Sequence, residues 1–100
     1  MELVKPIIWS PEADLDLEHT VVYLESKWSV VVVQDFITNL FDTLDWISLN
    51  PHTFMQINKS DNIRKYVLSE HHTLYFEIFE RHIDLLRIFD NRQNPNKLRL

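Results

Sequence analysis

Apolar residues recur along this chain with two different periods. Between residues 13 and 47 they return every three or four positions, which is the spacing of one face of a helix. Between residues 63 and 90 many of them alternate with polar residues, as in strands that bury one face. The pattern predicts a helical first half and a sheet in the second half, which is the α+β class.

The first helix has a recognisable start. It follows a short apolar run at residues 3–9, which Pro6 suits to a sheet edge. Ser10 is a good N-cap, Pro11 fits the first helical position, and Glu12 favours the positive end of a helix. One stripe is predicted to face the core: Ala13, Leu17, Thr20, Val21, Leu24 and Trp28. Four acidic residues are expected to stay in solvent: Asp14, Asp16, Glu18 and Glu25.

The second helix is less obvious, because the four valines at residues 30–33 would also suit a buried strand. Ser29 can cap a helix, and helical spacing then continues until Asn50 and Pro51 stop it. The predicted core stripe is Val33, Ile37, Leu40, Leu44 and Ile47. Since only a few residues separate the two helices, we expect an antiparallel hairpin packed on a sheet.

Three strands are predicted after a polar loop at residues 52–62. They are Ile63–Ser69, residues 73–80 and Ile83–Asp90, and their short connections favour an antiparallel meander. The core faces are assigned to Leu74, Phe76 and Ile78 in the middle strand and to Leu86 and Ile88 in the last. The predicted order is β-α-α-β-β-β, with a mainly antiparallel four-stranded sheet packed on the helical hairpin.

The composition is that of a single packed domain spanning residues 1–100, since 45% of the residues are apolar and 12% aromatic. The chain has no cysteine, which excludes disulfides and thiol nucleophiles. No signal peptide or membrane span is recognisable, so a cytoplasmic location is expected. Because glycine is also absent, any turn residue with positive φ would have to be Asn, Asp or His.

The net charge of −5 is unevenly distributed. Residues 1–50 carry two basic and nine acidic side chains, which gives −7, and residues 51–100 carry eight basic and six acidic side chains, which gives +2. An acidic helical half is typical of a solvated surface. This balance argues against a protein that binds duplex nucleic acid, which would be more basic.

Three further groups of residues have structural interpretations. His71 and His72 are adjacent, and an exposed turn pair is favoured over a site. Asp16 and His19 lie one helical turn apart, but no third ligand is in view, so no metal site is predicted. The three tryptophans are expected to anchor the core or the helix–sheet contact: Trp9, Trp28 and Trp46.

Short motifs follow one another in a particular order along nearly the whole chain. They are Ile8-Trp9-Ser10-Pro11-Glu12-Ala13, Tyr23-Leu24 with Trp28-Ser29, Asn50-Pro51, Ile63-Arg64-Lys65-Tyr66-Val67, Leu74-Tyr75-Phe76-Glu77-Ile78 and residues 88–95. In this order the chain resembles the RelE/ParE superfamily of bacterial toxins, which includes ribosome-dependent messenger RNA endonucleases and poisons of DNA gyrase. The resemblance implies a helical hairpin on a sheet, growth inhibition, plasmid stabilisation and an antitoxin that wraps the toxin.

The chemistry of RNA cleavage helps to separate these two branches. Cleavage through the 2′-hydroxyl needs a base, cations for the phosphate and an acid for the leaving oxygen. RelE-like nucleases generally use basic residues on the central strands and a Tyr or His-Tyr near the C-terminus. Here Thr73 stands where an arginine would be expected, and no Tyr or His follows His82. The sequence therefore predicts no catalytic residue and no cofactor, and it resembles the ParE branch more closely.

The sequence thus predicts a toxin that acts by binding. The candidate residues for binding a partner or target are Arg64, Tyr66, Arg87 and Arg92. The alternative for Arg64 is a surface ion pair with Glu77 or Asp84 across the sheet. The implied partners are a cognate antitoxin and, as one candidate target, DNA gyrase; a ribosome or messenger RNA is less favoured, and no membrane is expected. Two other functions stay open, a ribosome-dependent endonuclease and an inactive member that only binds an antitoxin.

Overall fold

A computed structural model describes residues 4–57 and 62–100 of the chain. Its elements are β1 (Ile7–Trp9), α1 (Pro11–Lys27), α2 (Val30–Leu49), β2 (Met55–Gln56), β3 (Ile63–Ser69), β4 (His72–Ile78) and β5 (Ile83–Asp90). Short 3-10 turns follow α2 at Pro51–Thr53 and β5 at Pro95–Lys97. The predicted α+β fold, with a helical hairpin and a sheet, is confirmed. Residue 3 of the predicted first strand and residues 58–61 of the predicted loop lie outside the described residues.

Helix α1 begins where the sequence predicts, and its cap also ties the helix to the sheet. The Ser10 hydroxyl accepts a hydrogen bond from the Ala13 backbone N–H at 3.0 Å and donates one to the Leu86 carbonyl at 2.7 Å. The Ser10 backbone N–H donates to the Leu85 carbonyl at 3.0 Å. One residue therefore caps a helix and binds a neighbouring strand, which fixes the start of α1 against β5.

Helix α2 includes the valine run, as predicted, and it ends at Leu49 just before Asn50 and Pro51. Ser29 occupies the N-cap position, but its side chain makes no capping hydrogen bond. The predicted stripe is confirmed where α2 crosses the sheet, since Leu40, Leu44 and Ile47 are buried. No helix in the described part of the chain is long and apolar enough to cross a membrane.

The sheet has the strand order β1-β5-β4-β3-β2. Its neighbours are antiparallel except β1 and β5, which run parallel with Ile7 beside Ile83. Strand β2 pairs with β3, with Met55 opposite Lys65, so the described residues form five strands instead of the four predicted. Two residues are too few to show an alternating pattern, which is why the sequence assigned β2 to the loop.

A β-bulge changes which residues of β5 face the core. Tyr75 lies opposite Arg87 and Phe76 opposite Leu85, so Leu86 is an extra residue in β5. The assignment of Leu86 to the core face is therefore wrong, because the bulge reverses the alternation at that point. The buried apolar residues of β5 that join the core are Ile83, Leu85 and Ile88.

The core lies between the helical hairpin and one face of the sheet. The predicted inward face of β4 is confirmed, and its largest member, Phe76, is 1% exposed. The largest fully buried side chains are Phe76, Leu40, Ile47, Leu74, Ile83, Leu85 and Ile88. Burial stabilises the fold by about 1.5–3 kcal/mol for each such side chain, before the entropy of ordering is subtracted.

The sequence misplaced one tryptophan. Trp28 was expected in the core, but it is 61% exposed, because its backbone is extended just past the end of α1 and no longer follows the helical stripe. Trp46 is also about half exposed, whereas Trp9 packs against the core as predicted. No described residue has positive φ, so the visible turns need neither glycine nor a left-handed Asn, Asp or His.

The two serine N-caps offer a matched test of this fold. Ser10→Ala should lower the free energy of unfolding by about 1–2 kcal/mol, because it removes a capping hydrogen bond and a hydrogen bond to β5. Ser29→Ala should change it by less than about 0.5 kcal/mol, since no capping bond is lost. Urea unfolding of both variants measures the difference, and equal losses would contradict the role given to Ser10.

Candidate binding site

Arg87, one of the predicted binding residues, lies in an internal ion pair with Asp16 of α1. The two Asp16 carboxylate oxygens accept hydrogen bonds from Arg87 Nε at 2.7 Å and Nη2 at 2.9 Å. Asp16 Oδ2 also accepts from the Ile88 backbone N–H at 2.9 Å. The hydrogen bonding of Arg87 to the Asp16 carboxylate raises the pKa of Arg87. Asp16 was expected to stay in solvent, but only 14% of its side chain is exposed.

Arg92 lies in an ion pair at the surface. Its Nε and Nη2 donate to the two Asp90 carboxylate oxygens at 3.0 and 2.7 Å. Its Nη1 donates to the Tyr23 hydroxyl at 3.3 Å, and the guanidinium carbon lies 4.9 Å from the Tyr23 ring centroid. Hydrogen bonding from Arg92 to the Asp90 carboxylate lowers the pKa of Asp90, and the same interaction raises the pKa of Arg92. The ion pair sets the orientation of the Arg92 side chain. Because 41% of this side chain is exposed, a partner can still reach it.

A small polar cavity of about 190 Å³ connects these two pairs, and we call it the histidine pocket. It is lined by Asp16, His19, Thr20, Tyr23, His72, Ile88, Asp90, Arg92 and Gln93. His72 is 5% exposed, its Nδ1 is 3.3 Å from the Ser69 hydroxyl, and its ring meets the Phe36 ring edge-on. Burial lowers the pKa of His72 below its ordinary value of 6.5. The prediction of an exposed turn pair is wrong for His72, because β4 already begins at this residue.

The histidine pocket contains the elements of acid–base chemistry but a charge pattern unsuited to phosphate. His72 could accept a proton, the Tyr23 hydroxyl could donate one, and Arg92 is a cation. Asp16 and Asp90 line the same pocket, however, and their carboxylates already engage the guanidinium groups of Arg87 and Arg92. A phosphodiester entering it would meet two like charges, so the pocket does not favour RNA cleavage.

Arg64 lies on the core-facing side of β3 and makes no ion pair with any other described residue. It sits opposite Phe76, and its Nη1 donates to the Phe54 carbonyl at 3.0 Å. Its Nε is buried without a hydrogen-bond partner among residues 4–57 and 62–100. The alternative ion pair with Glu77 or Asp84 is therefore not formed. Glu77 lies opposite Ile63, the neighbour of Arg64, so its side chain points to the other face of the sheet.

Tyr66, the fourth predicted residue, belongs to a cluster of aromatic rings. Its ring meets the Phe54 ring at 5.4 Å and the Trp46 ring at 5.7 Å, both edge-on. Phe54 in turn meets Trp46 at 4.9 Å and the buried Phe76 at 5.6 Å. Edge-on ring contacts of this kind are favourable beyond simple burial, so the cluster gives this part of the surface a defined shape.

These rings form part of the wall of a second cavity, which we call the aromatic groove. It has a volume of about 420 Å³ and is lined by Trp46, Thr53, Phe54, Met55, Lys65, Tyr66 and Val67. Most of its exposed lining is apolar, and Lys65 is the one charged residue among the described residues that line it. Among the described residues Lys65 makes no ion pair, so its charge is available to a ligand.

The structure thus does not gather the four predicted residues into one site. Tyr66 lines the aromatic groove and Arg64 bonds to a residue of its wall, whereas Arg92 lines the histidine pocket and Arg87 is paired beside it. The sequence missed Trp46, Met55 and Val67. Trp46 carried a signal, because it lies outside the core stripe of α2 and a large apolar residue there needs a partner. Met55 carried none, since β2 is so short.

Comparison with solved structures defines the class of fold. The chain is similar to a structure of the chromosomal ParDE toxin–antitoxin system from P. aeruginosa, with a TM-score of 0.73 and 12% identity over 87% of this chain and 96% of the other. It is also similar to one from the E. coli DinJ-YafQ toxin–antitoxin complex, with a TM-score of 0.55 and 8% identity over 88% and 93%. At such low identities the likeness shows the fold.

The family is shown by the sequence itself. The family model described as ParE toxin of type II toxin-antitoxin system, parDE, matches residues 7–95. The chain therefore belongs to the ParE toxin family, as the order of its motifs predicted. No curated protein matches the chain in a comparison of sequences.

The lowered pKa of His72 predicts how stability depends on pH. Below about pH 6.5 the unfolded chain binds a proton at His72 that the folded chain resists, so the free energy of unfolding should fall as pH drops from 7 to 5. His72→Gln should make this dependence flatter. His52→Gln, at an exposed residue after α2, is the control and should leave it unchanged. Urea unfolding across this range is the measurement, and identical slopes for all three proteins would contradict the prediction.

Proposed function

We propose that this toxin acts by binding its target, with DNA gyrase as the candidate, and that an antitoxin encoded beside it neutralises it. The family match over residues 7–95 is the observation that carries this proposal. The two similar structures described above come from toxin–antitoxin systems, which supports a protein partner of the same kind. An apolar groove on the surface of this small domain is consistent with such a partner.

Binding is favoured over catalysis by the way in which the cations are held. Arg87 and Arg92 each donate two hydrogen bonds to a carboxylate, so neither has its full charge available for a phosphate. Of the imidazoles that line the histidine pocket, only that of His72 is buried. Two carboxylates share the pocket with it. A nuclease would need the opposite charge balance around its base.

The target-binding surface is proposed to include Arg92 and Tyr23. The stacked guanidinium is oriented by Asp90 and Tyr23 before any partner arrives, so little conformational entropy would be lost on docking. This surface belongs to the histidine pocket, whereas Tyr66 belongs to the aromatic groove. Target binding and neutralisation would then use different residues.

Expression without the neighbouring gene should distinguish the candidate functions. In cells we expect growth arrest with DNA breaks or blocked replication, and messenger RNA that stays intact. In a separate assay, purified gyrase should lose its supercoiling activity when the toxin is added. Co-expression of the neighbouring gene should restore growth. Codon-dependent cleavage of messenger RNA on ribosomes by the purified protein would instead establish the endonuclease. Absence of growth arrest, together with a stable complex with the neighbouring gene product, would identify an inactive antitoxin-binding member.

Arg92 offers a test of the proposed target surface. Arg92→Ala should weaken target inhibition by about fivefold or more, because truncation of an arginine at the centre of an interface costs above about 1 kcal/mol. Arg81→Ala is the matched control, since Arg81 is an exposed cation in the turn between β4 and β5. The concentration for half-inhibition of the target is measured for each variant. Equal potency of the two variants would remove Arg92 from the target surface.

This substitution is preferable to deletion of the chain after Asp90. The Thr73 hydroxyl donates to the Asn91 side-chain oxygen at 3.0 Å, and Arg87 Nη1 donates to the Lys97 carbonyl at 3.3 Å. A deletion would leave the buried Thr73 hydroxyl without this partner and would disturb Arg87. Loss of toxicity could then reflect a damaged fold, whereas Arg92→Ala removes only contacts at the surface.

A further inference from the structure

We propose that the tip of the helical hairpin is a self-association surface, through which two copies of this chain form a weak twofold dimer. The surface, which we call the valine tip, consists of Trp28, Val30, Val31 and Val32. The inference goes beyond the proposed function and does not depend on it, because it concerns a contact between copies of the chain itself.

The valine tip exposes a run of apolar side chains that are neighbours in the chain. Trp28 is 61% exposed, Val30 is 68% exposed and Val31 is 61% exposed. Val32 is exposed as well, and Val33 is the first valine of the run to be partly buried. Single exposed apolar residues are common on protein surfaces, but a group that includes a tryptophan is typical of a contact surface. The tip therefore has a hydrophobic driving force for a partner that would cover it.

Folding alone does not account for these residues. Valine is a weaker helix former than alanine, lysine or glutamate. The first turn of α2 also has no acidic residue, and the Ser29 side chain makes no capping hydrogen bond. A helix start that lacks such local signals and exposes valines instead is typical of a segment with a role in binding.

The tip is ordered before any partner arrives. The Trp28 backbone N–H donates to the Leu24 carbonyl at 2.8 Å, which holds the tryptophan just past the end of α1. The valines belong to α2, and valine side chains in a helix are largely restricted to one rotamer. Little conformational entropy would therefore be lost when this surface docks.

The charges around the tip indicate what covers it. The helical half of the chain has a charge of −7 within residues 1–50, which repels nucleic acid and an anionic membrane. The tip itself is flanked by one residue of each sign, Glu25 and Lys27, and both are exposed. Neither forms an ion pair with any described residue. Both charges are therefore available to a partner that presents the opposite sign at each place.

A second copy of the chain supplies that matching surface. In a twofold contact the same patch occurs on both sides, and every contact occurs twice. Glu25 of one copy then pairs with Lys27 of the other, while the apolar residues of the two tips cover one another. The two residues are two positions apart in α1 and do not face each other within one chain. Their pairing is therefore a contact between copies.

The dimer should be weak. The valine tip has only four apolar residues, whereas a stable interface takes about 20–30 residues and about 800 Å² from each partner. The net charge of −5 on each copy also opposes association at long range. We therefore expect a dissociation constant between about 10 µM and about 1 mM. None of the four residues lines the aromatic groove or the histidine pocket, so both stay open in the dimer.

Sedimentation of the purified full chain measures this association. The average mass should rise from that of one chain toward twice that value between about 10 µM and about 1 mM, and the Trp28 indole N–H resonance should shift over the same range. Val31→Asp should weaken dimerisation by about tenfold or more, because it places a charge in the apolar contact of both copies. Val67→Asp, at a similarly exposed valine on β3, is the control and should dimerise like the parent chain.

An exchange of charges tests the twofold pairing. Lys27→Glu should weaken dimerisation by about three- to tenfold, because it opposes two carboxylates at both symmetric contacts. Glu25→Lys should also weaken it, since two cations then meet. The double variant Glu25→Lys/Lys27→Glu should restore the parent affinity, because the pairing is reversed and the net charge is unchanged. The amide spectrum of each variant verifies its fold, and should Val31→Asp unfold, this exchange at two exposed residues still decides the matter.

Several results would overturn the proposal. A chain that stays monomeric up to about 1 mM has no such dimer, and if Val31→Asp then loses inhibition of the target, the tip belongs to the target surface. Association that Val67→Asp abolishes and Val31→Asp leaves intact occurs through the aromatic groove instead. A double variant that dimerises as weakly as Lys27→Glu has no twofold pairing at the tip. Absence of toxicity would refute the proposed function and leave these measurements unchanged.

Discussion

The Asp16 carboxylate is the point at which the helical hairpin and the sheet depend on each other. It accepts two hydrogen bonds from Arg87 and one from the Ile88 backbone N–H, immediately after the bulge at Leu86. A bulge disturbs the pairing of a strand and needs compensating partners, and here α1 supplies one. Loss of either partner would leave a charge that is largely removed from water, and such losses typically cost several kcal/mol. The position of α1 on β5, and with it the histidine pocket, follows from this pair.

The same interaction limits what the protein can do chemically. A nuclease of the same superfamily could place its cations around a base. Here, instead, Arg87 stabilises the fold and Arg92 is oriented by Asp90 and Tyr23. The carboxylates that hold these cations also bring negative charge to the pocket beside His72, which disfavours an anion there. The charge of −5 on the whole chain points the same way, since an acidic surface repels nucleic acid. This arrangement is what supports the proposed action by binding.

The sequence predicted the elements well because each is set by local spacing or by a cap. The start of α1 at Ser10 and Pro11, the end of α2 before Pro51, and the inward face of β4 all follow from such signals. The errors arose where one element decides the environment of another. Asp16 reads as a surface residue until β5 brings Arg87 to it, and Leu86 reads as core until the bulge moves it. His72 likewise becomes buried only when α2 covers it, as its contact with Phe36 shows. The pocket and the groove could not be predicted because their walls come from distant segments.

Stability and binding make opposite demands on the apolar residues of this chain. The core takes Leu40, Ile47 and Phe76 out of water completely, which accounts for the packing of α2 on the sheet. Trp46 lies on the same helix, beside Ile47, but 48% of it remains exposed. Its indole instead closes a groove with Phe54 and Tyr66, and Met55 and Val67 remain in solvent at the same place. Apolar side chains that the fold does not bury lower solubility, so their grouping around one groove is better explained by a binding partner than by folding.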